Sequence, residues 1–150
     1  MSTTMAAERG RVSAPRALTI GMVGGIAGGI VFGMLMAMQD MLPMVAALVG
    51  SDSAAVGFGV HLAISAGAGL VFGAAVAAVP TLVATPVVAV AAGALYGVAW
   101  WIAGALVAMP LMLGMSQMVF VIEQMQLISL MGHVVFGIVT ALVVYAAARR

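Results

Sequence analysis

Long stretches without charge constrain this chain more than any motif in it. No Asp, Glu, Lys or Arg lies between Arg16 and Asp40, between Asp52 and Glu123, or between Glu123 and Arg149. A soluble domain carries about 25% charged residues, whereas here the share is 6% against 65% hydrophobic. Such runs leave no polar face to offer water. A helical crossing of a bilayer takes about 20 residues, so the chain reads as an all-α integral membrane protein with four transmembrane helices.

The expected spans are residues 17–38, 54–78, 87–109 and 128–148, which form one domain (17–148) after a cytoplasmic tail (1–16). The first apolar run is longer than the core of a typical signal peptide and reads as a retained helix. Pro43 closes the first crossing, and Ser51-Asp52-Ser53 supplies N-cap oxygens for the second. Pro80 and Pro86 bracket a tight uncharged turn, and Pro110 is expected to end the third span. Within the last connection, residues 116–126 read as an interfacial helix.

All five basic residues are arginines: Arg9, Arg11 and Arg16 near the start, Arg149 and Arg150 at the end. The positive-inside rule then places both termini in the cytoplasm of a cell inner (plasma) membrane. Asp40, Asp52 and Glu123 fall outside.

The chain also echoes itself. Gly29-x-x-Phe32-Gly33 aligns with Gly93-x-x-Tyr96-Gly97, and Leu42 and Gly50 with Leu106 and Gly114. His61 aligns with His133, and Leu70-Val71 with Leu142-Val143. Two parallel helical-hairpin repeats (2+2) are expected, at about 17–78 and 87–148, related by an axis along the membrane normal.

Every span carries small residues at four-residue spacing: Gly21, Gly25, Gly29 and Gly33; Gly57, Ser65, Gly69 and Gly73; Gly93 and Gly97; Ser129, Gly137 and Ala141. Lipid provides no hydrophobic force between helices, so close backbone approach must hold them together. These ridges are assigned to packing within one bundle, with assembly into a homo-oligomer or larger membrane complex as the alternative.

His61 and His133 are the only ionisable side chains placed well inside the spans, apart from the tyrosines. Each sits about 8 Å into its helix from the outer end, at 1.5 Å per residue, and on the small-residue ridge. An intramembrane histidine is a functional candidate, and its plainer alternative is an interhelical hydrogen bond to Ser65, Thr140 or a backbone carbonyl. Of the 14 methionines, all but Met1, Met5 and Met22 fall in the same outer layer. Thioether and imidazole together suit Cu(I), and neutral ligands suit a monovalent ion in an apolar site. The candidate metal ligands are His61, His133, Met34, Met38, Met41, Met109 and Met112. A haem b held between the two histidines is a weaker alternative, because no Arg or Lys between Ala17 and Ala148 is there to pair with its propionates. Methionine as adaptable packing is the bland one.

The chain has no cysteine, hence no thiol chemistry. No HExxH, phosphate loop or nucleophile elbow is present, and no basic stripe supports nucleic-acid binding. A non-enzymatic membrane protein is expected, in contact with the lipid bilayer.

Overall fold

The computed structural model describes residues 12–150, which are all-helical with no strand among them. Helix α1 is Ala14–Met38, α2 is the short Leu42–Ala46, α3 is Ala54–Ala78, α4 is Pro86–Met112 and α5 is Gln124–Ala148. Four of these, all but α2, are long and apolar enough to cross a membrane, which fits a multi-pass membrane protein in contact with lipid. Residues 1–11, with Arg9, Arg11 and Glu8, lie outside the described part.

Side-chain size decides which way each helix faces. Glycines are buried along α1 at Gly21, Gly25, Gly29 and Gly33, whereas bulky Val87 and Leu95 on α4 are 77% and 72% exposed. A soluble bundle would hide the bulk. Here bulk faces outward and backbones meet inside, the arrangement that lipid favours.

Two seams close this way. Between α1 and α3, a Cβ on Gly25 would lie 2.6 Å from the Gly69 Cα, and one on Gly21 would lie 2.7 Å from the Gly73 Cα. Between α4 and α5, one on Gly93 would lie 2.8 Å from the Ala141 Cβ, one on Gly97 2.7 Å from the His133 carbonyl carbon, and one on Gly137 2.8 Å from the Gly97 nitrogen. All are far inside van der Waals contact. A third close seam joins α1 to α5, where Gly24 and Gly28 approach the Thr140 and Phe136 carbonyls. By contrast, α3 and α4 meet mainly through side chains: the Phe72 and Tyr96 rings pack at a 58° tilt with centroids 5.0 Å apart, and the Tyr96 hydroxyl donates to the Ala68 carbonyl.

Arg16 Nη2 donates to the Ala147 carbonyl at 3.2 Å, so α1 begins where α5 ends. We call this the terminal end. The other, distal end carries the α1–α3 and α4–α5 connections, with left-handed backbone at Asp40 (φ 52), Gly50 (φ 72), Gly114 (φ 71) and Phe120 (φ 58).

Three elements differ from the sequence expectation. Helix α1 starts at Ala14, three residues before the expected span. Pro110 does not end α4, because the helix widens into a π-helix over Trp101–Ala108 and continues to Met112. Proline supplies no N–H to the Leu106 carbonyl one turn back; that oxygen accepts instead from Phe120 N–H at 3.1 Å, drawing the following loop onto α4. Finally, residues 116–126 form no interfacial helix. Only Ser116–Met118 makes a 3₁₀ turn, and α5 already begins at Gln124. Glu123 is its N-cap: its side chain accepts from the backbone N–H of Gln126, whose side chain accepts in turn from Glu123 N–H.

Candidate functional site

The weak seam between α3 and α4 leaves a cavity of about 330 Å³ in the distal half of the bundle. Its walls come from every long helix, and from α2 through Met44 and Val45. They are apolar except for His61, His133, Ser65 and Ser129, with the Trp100 indole at one side. The α4 wall includes Gly104, Ala105 and Ala108, three residues of the π-helix. Such widened turns are frequent at functional sites. Small residues there leave the volume that a Leu or Phe would fill.

The two histidines are held differently. His61, 8% exposed on α3, places Nε2 at 3.1 Å from the Gly29 carbonyl of α1. His133, on α5, places Nδ1 at 2.8 Å from the Ser129 carbonyl of its own preceding turn, with the Ser129 hydroxyl 3.3 Å away. A carbonyl oxygen only accepts, so the bonded nitrogen carries the proton in each ring. The remaining nitrogens, Nδ1 of His61 and Nε2 of His133, are therefore lone-pair acceptors in the neutral imidazoles. Among the described residues neither makes a hydrogen bond, and no fully buried side-chain nitrogen or oxygen lacks a partner, so these two are not fully buried; both rings line the cavity.

Phe32 stands between them. Its ring lies 5.2 Å from the His61 ring and 4.8 Å from the His133 ring, edge-on to both. It fits there because Gly132 has no side chain: a Cβ at that position would overlap the Phe32 ring.

The methionines divide by helix geometry. Met41 is buried and Met109 half-buried, and both line the histidine cavity; Met112 is 68% exposed at its rim. Met34 and Met38 lie two residues to either side of Met36, about 200° around the helix from it. Because Met36 faces the cavity, these two face away. Met34 is 60% exposed and lines neither this cavity nor its neighbour; Met38 is 78% exposed and lines the neighbouring one. Of the candidate ligands, the structure thus brings His61, His133, Met41, Met109 and Met112 to one cavity and leaves Met34 and Met38 outside it. Among the described residues, no group of three or more His, Cys, Asp or Glu converges. The soft donors in the cavity wall are imidazoles and thioethers, with the Ser65 and Ser129 hydroxyls beside them.

Sequence reasoning passed over Phe32, Met36, Trp100 and the π-helix. For Phe32 a signal existed in its place inside Gly29-x-x-Phe32-Gly33. For the π-helix there was none beyond Gly104 and Pro110. Trp101 is 7% exposed and ties α4 to the start of α5 by donating from Nε1 to the Gln126 carbonyl at 2.9 Å. No known protein family, curated protein or solved structure matches the chain.

Proposed function

We propose that this chain is a non-enzymatic protein of the cell inner membrane that holds a soft metal ion, Cu(I), in its distal cavity, for binding or for passage. One observation carries the reading: two imidazoles, each with one ring nitrogen free of a protein hydrogen bond among the described residues, line one largely apolar cavity together with the thioethers of Met36, Met41, Met44, Met109 and Met112. Metal-binding histidines characteristically donate their other ring N–H to a backbone carbonyl, which fixes tautomer and ring orientation. His61 and His133 both do so. Imidazole and thioether are neutral and soft, which suits a monovalent d¹⁰ ion. A divalent hard ion would lack the oxygen ligands it needs.

The proposed topology has both termini in the cytoplasm. Arg16, Arg149 and Arg150 gather at the terminal end, while Asp40, Asp52 and Glu123 belong to the distal connections. The 2+2 repeat is supported by matching registers. Gly29 meets Ser65 and Gly33 approaches His61 across one hairpin; Gly93 meets Gly137 and Gly97 meets His133 across the other.

A purely structural role is favoured by a different observation, the His61–Gly29 bond that joins α3 to α1. Haem b fits less well, since Phe32 occupies the space between the two rings. Copper content decides. Protein purified in detergent under reducing conditions and loaded with Cu(I) should retain the ion by mass spectrometry. His61→Ala and His133→Ala should each lower retention at least tenfold, and Met34→Leu should leave it unchanged. Wild-type protein that holds no copper refutes the metal reading, and a Soret band in the reduced spectrum would replace it with haem.

A further inference from the structure

A second cavity, of about 290 Å³, opens between α1 and α5 at the distal end. Its lining includes Met36, Met38, Met41 and Met131, the Gln39 side chain and Phe32. No histidine or carboxylate lines it. The soft donors are therefore four thioethers, with one amide beside them. Exposure divides the four: Met38 and Met131 are 78% and 70% exposed, whereas Met36 and Met41 are 6% and 8% exposed. The buried pair, with Phe32, lines both this cavity and the one that holds the histidines. The partition between the two is thus two unbranched thioether side chains and one ring, and methionine is the side chain best able to change rotamer without leaving a void.

We propose that this second cavity is a separate Cu(I) site made of thioethers, at which the ion is taken up before it reaches the histidines. Met38 and Met131 receive the ion at the accessible mouth, and Met41 and Met36 carry it through the partition. No bond to oxygen and no change of oxidation state is involved; one set of neutral soft ligands is exchanged for another. Thioethers alone hold the ion loosely, and the imidazoles beyond them complete a stronger set, so the order of sites favours inward movement. Binding at this cavity stands independently of the histidine site, whereas the transfer step rests on the proposed function above.

Nuclear magnetic resonance of the full chain in detergent, with ¹³C-methyl methionine, tests this with Ag(I) as a redox-inert d¹⁰ probe. The Met38, Met41 and Met131 methyl signals should shift with the first equivalents of Ag(I), both in wild type and in the His61→Ala/His133→Ala variant. Met38→Leu/Met131→Leu, which conserves volume and so the fold, should slow the shift of Met109 at least tenfold while leaving its final extent unchanged. Unmoved Met38 and Met131 methyls in wild type overturn the proposal, as do methyls that move only when both histidines are present. An unchanged loading rate at Met109 overturns the transfer step alone. If Met38 and Met131 respond and Met109 never does, the histidine-site reading fails and the thioether site stands.

Discussion

Gly25→Ala is the most direct probe of what holds this bundle together. The added methyl would lie 2.6 Å from the Gly69 Cα and 2.8 Å from its nitrogen, where ordinary contact begins at 3.4 Å. The obstructing atoms are backbone and have no rotamer to change, so α1 and α3 must separate by about 1 Å. A gap of that size forfeits roughly a quarter to a half of each contact's dispersion energy, itself about 0.1–0.2 kcal/mol per atom pair. Applied along the seam from Gly21 to Gly29, and set beside the usual cost of overpacking of about 1–3 kcal/mol, this gives a loss near 2 kcal/mol. In water, replacing glycine by alanine would recover about 1 kcal/mol of helix propensity. In lipid the helix persists whether or not it packs, so that gain is absent. The matched control is Gly59→Ala on α3, where a Cβ has no neighbour within 4 Å. Reversible SDS titration, followed by the fluorescence of Trp100 and Trp101, should show Gly25→Ala shifted by about 2 kcal/mol and Gly59→Ala within about 0.5 kcal/mol of wild type. Equal stability of the two variants would refute backbone packing as the organising force.

Three further outcomes are expected. Glu123→Ala removes the half of the capping box in which the Glu123 side chain accepts from Gln126 N–H and should cost about 0.5–2 kcal/mol in the same titration, with faster amide exchange confined to residues 124–128. Trp101→Phe leaves the Gln126 carbonyl without its indole donor and should cost about 1–3 kcal/mol, with no change in copper retention. Gly132→Ala pushes the Phe32 ring toward the histidines and should lower Cu(I) retention at least tenfold while leaving far-UV circular dichroism unchanged; retention at the wild-type level would show that Phe32 does not set the shape of the site.

The architecture was legible because charge and proline mark it so plainly. Absence of charge delimits the spans, and the small-residue ridges name the faces that meet: Gly21, Gly25, Gly69, Gly73, Gly93, Gly97 and Gly137 all lie at close backbone contacts, and Gly29 meets the Ser65 side chain. The end of α4 was misread because a proline normally stops a helix. Nothing in the local sequence reveals that a distant N–H, Phe120, takes over the freed Leu106 carbonyl. The site was half legible. Residue type singled out the histidines and methionines, but direction around the helix decides which thioethers reach the cavity. Spacing by twos, as in Met34, Met36 and Met38, places neighbours on nearly opposite faces. The true wall residue among them is Met36, and packing alone identifies it.

The position of the cavity follows from where the proposed repeat fails to be symmetric. Aligned as the sequence suggests, Gly24 and Gly28 of α1 correspond to Val88 and Ala92 of α4, and Phe136 and Thr140 of α5 to Ile64 and Ala68 of α3. On one side, glycines let the α1 and α5 backbones close on each other at Thr140 and Phe136. On the other, every glycine of the pair has gained a side chain, and Tyr96 stands where the first hairpin has Phe32. Tyr96 reaches across to the Ala68 carbonyl and packs on Phe72, which props α3 and α4 apart at mid-depth. Above that prop, toward the distal end, α4 turns to Gly104, Ala105 and Ala108 on a widened helix, and the gap is left unfilled. The two hairpins of the proposed repeat thus make one closed seam and one open one. The histidines, which the proposed repeat would place at one level, end up sharing a single cavity because only one of the two seams has room for it.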